Sequence, residues 1–256
     1  FWSASLILQR RRISFGPLAL ALPLAGLLTV ILVSALLSID VRISIYHWIR
    51  MLLAAGLYLF VVNEIKSLGV LIWGVAGGLL VQSAVGITQV LAQHDLGLQF
   101  WGEYELDPSW RGVSIVWAEG VRSLRAYGLS DHPNILGGCL TFALLILGVR
   151  YVATTTGEWR PILTALLGLG SLALLSTFSR SAWLAFIASW LLIMVFSIKT
   201  QRYQMNRKWI HLSISLVLVL SPFLIYLAPF LGIRLGIATS LMNSPGEEQS
   251  IGERQL

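Results

Sequence analysis

Seven runs of about 16 to 24 mostly apolar residues, separated by short polar links, constrain this chain more than any other feature. A bilayer core of roughly 30 Å takes about 20 residues of helix to cross, and a helix satisfies its backbone polar groups internally where no water is present. The expectation is an all-α, polytopic helical membrane protein with about seven transmembrane helices, near residues 17–37, 45–62, 68–91, 133–151, 161–176, 181–198 and 210–231. With 56% hydrophobic and 12% charged residues, the chain lacks the polar surface that a water-soluble domain needs. One membrane domain over residues 1–256 is expected, incomplete at both ends. The sequence opens on Phe1 without a signal-peptide pattern and closes on the polar residues 247–256.

The third run is unusually polar. Gln82, Ser83, Thr88 and Gln89 lie in it beside Gly74, Gly77, Gly78 and Gly86, which suits a helix facing other helices. Orientation follows from lysines and arginines near span ends. With Arg10, Arg11 and Arg12 inside, the cytoplasmic links hold Lys66, Arg150, Arg160, Lys199, Arg202, Arg207 and Lys208. An external loop is then expected at 94–131, and a larger one begins at 236–256. The outside bases are all arginine: Arg42, Arg111, Arg122, Arg125, Arg180, Arg234 and Arg254. Arginine holds phosphate oxygens through a planar fork of donors, whereas lysine offers a point charge.

Two outside arginines coincide with helix starts. Arg125 precedes Ser130-Asp131-His132-Pro133-Asn134, where Ser130 and Asp131 resemble a cap and Pro133 a first helical residue. Arg180 follows Thr177-Phe178-Ser179 in a tight turn between two runs. Free backbone N–H groups and the positive end of the helix dipole favour an anion at such places. Arg125 and Arg180 are therefore candidate diphosphate ligands, with His132, Asn134 and Ser179 as candidate contacts. An arginine beside a span end is ordinarily a snorkelling anchor, and Arg42 and Arg234 are read so. His132 is read first as a helix-start residue and Asn134 as closing a backbone turn.

The tryptophans of the 94–131 loop, Trp101, Trp110 and Trp117, suit an interfacial anchor, and residues 113–117 suit a stretch lying flat in the headgroups. Aromatics beside Glu103, Glu105, Asp107 and Glu119 also suit a sugar. Scattered histidines (His47, His94, His132, His211) and a lone Cys139 give no metal-ligand spacing, so no metal and no cofactor is expected. The net charge of +6 falls in clusters between apolar runs, which is a topology signal and not a nucleic-acid surface.

Arg125-Ala126-Tyr127-Gly128, then His132-Pro133-Asn134-Ile135-Leu136-Gly137-Gly138, then Thr177-Phe178-Ser179-Arg180-Ser181-Ala182-Trp183 resemble, in order and spacing, the O-antigen ligase and polymerase family. Ser38-Ile39-Asp40 and the polar third run ending in Gln89 fit the same pattern. The resemblance implies a multi-pass protein of the bacterial cytoplasmic (inner) membrane. It would transfer or polymerise a glycan from an undecaprenyl-diphosphate-linked donor at the outer face, without a metal, to a glycan, lipid or protein acceptor. It further implies Arg125 and Arg180, with Arg254 as a third, on the diphosphate, and an acceptor-activating residue beyond Leu256. The alternative is a membrane transporter of a small anion such as inorganic carbon, which calls for an ionisable pair or a broken helix near the bilayer midplane; Arg50 is the one charge that lies deep in a span.

Overall fold

The computed structural model describes residues 13–118, 121–154, 159–199 and 203–226, with 228 and 232. Among these the chain is mostly helical: α1 (Leu18–Leu36), α2 (Val41–Glu64), α3 (Leu68–Ala92), α4 (Pro133–Ala153), α5 (Arg160–Ser176), α6 (Arg180–Lys199) and α7 (Tyr203–Tyr226). Each of the seven expected runs lies on one of these helices. Four of them, α1 to α4, are long and apolar enough to cross a membrane. The apolar stretches of the others are shorter, at Arg160–Ser176, Arg180–Phe196 and Lys208–Pro222. At 1.5 Å per residue, the 17 residues of α5 reach about 25 Å, short of a full hydrocarbon core. The expected continuation of the seventh run to residue 231 and the loop at 236–256, with Arg254, lie outside the described residues.

The chain divides into two compact units, residues 1–71 and 72–256. In the first, α1 and α2 pack together across a link in which Asp40 caps α2 by accepting from the Ile43 N–H at 3.0 Å. Polar side chains stitch the pair. Trp48 donates to the Leu28 carbonyl at 3.0 Å, Tyr58 to that of Phe15 at 3.0 Å, and Asn63 exchanges hydrogen bonds with Ser14. Most apolar side chains of this unit point outward, which suits a hydrocarbon surrounding and not water.

In the second unit, α4 packs on α5 and α6, and α7 closes against α5 and α6. Leucines at helical spacing on α4 (Leu136, Leu140, Leu144, Leu147) meet Leu163, Leu167 and Leu174 of α5, while Leu79 joins them from α3. Trp190 of α6 and Trp209 of α7 meet edge to face at 4.6 Å. Glycine makes the closest approaches possible. A β-carbon on Gly148 would lie 2.8 Å from the Trp190 ring, and one on Gly170 would lie 2.9 Å from both Leu79 and Leu144.

The adjacent Gly137 and Gly138 provide a matched test. A β-carbon on Gly137 would sit 2.8 Å from the Ala182 β-carbon and 3.3 Å from that of Ser179, neither of which can swing aside. Gly138 has open space there. Gly137→Ala is expected to cost about 1–3 kcal/mol by forcing α4 from the start of α6, whereas Gly138→Ala is expected to leave stability unchanged or slightly raised. Thermal unfolding of the two variants in detergent measures the difference.

From within the stretch at 113–117 the structure forms a β-hairpin. Residues Ile115–Ala118 form strand β1, paired antiparallel with β2 (Val121–Leu124) in the register Ile115↔Leu124 to Ala118↔Val121. Val116 and Leu124 are buried, and Leu124 joins Leu106 and Tyr127 in a small core of the loop's own. The β-branched residues of Val113-Ser114-Ile115-Val116 and the glycine at position 120 are a hairpin signal.

Candidate functional site

The loop between α3 and α4 is fastened to α3 by two glutamines of the polar third run. Gln89, fully buried, accepts from the Gly128 N–H at 2.8 Å and the Tyr127 N–H at 3.2 Å, and donates to the Gly128 carbonyl at 3.0 Å and to Glu103 at 2.7 Å. Gln82 accepts from the Leu129 N–H at 2.8 Å. The polarity of this helix therefore serves to hold the segment that carries Arg125. Gly128 takes φ +61, a left-handed conformation that glycine adopts without strain.

Arg125 is buried, at 4% exposure. Its Nε donates to the Thr177 carbonyl at 2.7 Å and a terminal nitrogen donates to Asn134 Oδ1 at 2.9 Å. The Ala126 N–H adds a bond to the Ser176 carbonyl at 2.9 Å. Arg125 thus joins the end of β2 and the start of α4 to the turn between α5 and α6, 52 residues further along the chain. Because Arg125 needs an acceptor, it fixes the orientation of the Asn134 amide, and the NH₂ group is left as a donor with no partner among the described residues. Asn134 is therefore a partner of the arginine, and the expectation that it closes a backbone turn is replaced.

The cap of α4 is His132; the sequence pointed to Ser130 and Asp131. His132 Nδ1 accepts from the Asn134 N–H at 3.1 Å, and Nε2 lies 3.2 Å from Ser114 Oγ. Pro133 follows as the first helical residue, while Ser130 donates back to the Tyr127 carbonyl. An acceptor role at Nδ1 puts the proton of the neutral ring on Nε2, from which it donates to Ser114. Ser114 is itself held by its N–H donating to the Tyr127 hydroxyl at 2.6 Å. Arranged in this way, His132 has no free lone pair with which to act as a base.

Burial, and secondarily the Arg125 charge, hold His132 below the ordinary histidine value of 6.5. The unfolded chain then binds more protons than the folded one, so the contribution of His132 to stability is fully present above pH 6.5 and is lost as pH falls through the folded value. Protonation sets two donors against each other at the α4 cap. Thermal stability in detergent is expected to decline over that acid window in the wild type, and the decline is expected to shrink in His132→Asn, which caps without titrating.

The turn from α5 to α6 is strained. Phe178, buried completely, sits at φ +48, a left-handed conformation uncommon for a bulky aromatic residue. Thr177 Oγ1 accepts from the Ser179 N–H at 3.3 Å, the Ser179 carbonyl accepts the Trp183 N–H at 3.0 Å, and Ser179 Oγ lies 3.3 Å from Ser181 Oγ. Ser179 is buried and serves the turn. Arg180 is the first residue of α6; it is exposed and makes no hydrogen bond or ion pair with the described residues. Sequence reasoning placed both arginines as equal ligands, but the structure gives them different positions: Arg125 lies beneath the turn and Arg180 on its outer side. Arg254 lies outside the described residues.

Among the described residues around the starts of α4 and α6, the Arg180 guanidinium, the Asn134 NH₂ and the Ser114 hydroxyl hydrogen have no protein partner, and neither has the Asp131 carboxyl. The carboxyl nearest in sequence, Asp131, is exposed and bonds to none of them. No three His, Cys, Asp or Glu side chains come together among the described residues. Asn134 and Arg180 thus lie exposed at the starts of two helices, α4 and α6, of a protein with four helices long and apolar enough to cross a membrane. No protein-family model matches the chain, and neither a curated protein nor a solved structure matches it.

Proposed function

We propose that this protein is a glycosyltransferase of the O-antigen ligase and polymerase type, with all seven helices placed in the bacterial cytoplasmic membrane. It takes a glycan from an undecaprenyl-diphosphate donor at the outer face. The observation that supports the reading most is the bond from buried Arg125 to the carbonyl of Thr177, in the turn that ends at exposed Arg180. One arginine supplies positive charge from below and holds the turn; the other reaches the diphosphate oxygens. Developing charge on a diphosphate leaving group is stabilised by such preorganised donors without a metal. The α6 N-terminus adds its free N–H groups from the same side.

A carrier of small anions is the second reading, and Arg50 is the residue it would turn on. It lies well inside α2, exposed, with the Tyr46 ring 5.9 Å from its guanidinium carbon. The test is donor binding and glycan transfer by the full-length protein, with and without EDTA. Transfer that survives chelation is expected. Abolition by EDTA with rescue by a divalent ion counts against the arginine mechanism, and anion flux in proteoliposomes without donor binding favours the carrier.

A further inference from the structure

We propose that Phe100 and Trp101 form a lipid-interface anchor, seated among the headgroups and upper acyl chains of the outer leaflet beside the last turn of α3. The two rings are 95% and 72% exposed and meet edge to face at 6.1 Å, in a short helical turn, Gln99–Trp101. Their support is built and rigid. Glu103, 5% exposed, accepts from the Leu96 N–H at 2.8 Å and the Leu98 N–H at 2.6 Å, and so closes the chain into a tight loop with the rings at its tip. Gln99 adds a bond to Asp95 at 2.8 Å, and Gly102 turns the chain at φ +94.

Depth identifies the occupant. The Glu103 carboxyl also accepts from Gln89, which lies three residues before the end of α3 at Ala92. The base of the loop is therefore level with the last turn of a helix long and apolar enough to cross a membrane. At that height an aromatic pair facing outward meets the interfacial layer, where an amphipathic indole is most stable. The charged neighbours are acidic, Asp95, Glu105 and Asp107. Ring burial, and not attraction to anionic headgroups, is then the driving force. Gln89 also holds Tyr127 and Gly128, so the depth of the anchor sets the depth at which Arg125 sits.

Spin labels on single cysteines at positions 100 and 101, in a Cys139→Ala background of the full chain in phospholipid nanodiscs, test this. Collision with oxygen is expected to exceed collision with a water-soluble nickel chelate severalfold at both positions, with the reverse at a Ser109 control, and phosphatidylglycerol content or salt is expected to change neither. Nickel accessibility at 100 and 101 equal to that at 109 overturns the proposal and leaves the rings as an aqueous, sugar-stacking platform. Exclusion of both reagents overturns it in favour of a protein partner. Because a label removes one of the rings, native side chains provide a second measurement. Quenching of tryptophan emission by lipids brominated near the headgroup is expected to be smaller in Trp101→Phe than in wild type, and an unchanged quenching overturns the anchor.

Discussion

Arg125→Ala is expected to produce the largest loss of any single substitution at the site, in stability and in activity together. The change removes two charge-assisted hydrogen bonds, to the Thr177 carbonyl and to Asn134 Oδ1, and empties the space of a side chain that is 4% exposed. Hydrogen bonds to charged groups contribute about 1.5–3 kcal/mol each, so a destabilisation of roughly 3–6 kcal/mol is expected. Arg125→Lys keeps the charge, but one ammonium group does not reproduce the geometry of Nε and a terminal nitrogen pointing to two acceptors. It is expected to recover less than half of the lost stability. Thermal unfolding in detergent and glycan transfer at equal membrane abundance measure both effects. Wild-type unfolding in Arg125→Ala counts against its role as the tie between α4 and the α5–α6 turn.

Arg180→Lys separates function from folding. Arg180 is exposed at the start of α6 and holds nothing among the described residues, so its replacement is expected to leave unfolding unchanged. If its planar fork binds the diphosphate, transfer falls about ten- to a hundredfold, the range that a lost charge-assisted hydrogen bond implies. Arg42→Lys, also an exposed arginine in the first turn of a helix, serves as the control and is expected to be silent. Near-normal transfer by Arg180→Lys and Arg180→Ala would return this residue to a headgroup anchor and remove the proposed diphosphate contact. The contrast with Arg125 is informative in itself, because an arginine that organises the protein and one that meets a ligand lose activity in different ways.

The helical character of this protein was written in its sequence. Apolar runs at bilayer length admit few structures besides helices, because each backbone N–H and C=O needs a partner that hydrocarbon does not supply. The polarity of the run holding Gln82 and Gln89 announced a helix facing protein, and the position of Arg180 at a helix start was also legible, whereas Arg125 follows the end of β2 and reaches the start of α4 through Asn134. Tertiary structure decided the rest. Which side chain of Gln89 meets which carbonyl 39 residues on, and that His132 and not Asp131 caps α4, are matters of long-range geometry. The β1–β2 hairpin is only weakly signalled in the sequence, because its strands are four residues each and Leu124 packs into a small core with Leu106 and Tyr127 that no local pattern displays. The same holds for the two arginines. Sequence makes them alike, since both are cations beside a helix start, and only packing separates them. The chain folds Arg125 under the Thr177–Arg180 turn, where its donors are used by protein, and leaves Arg180 on the outer side of that turn.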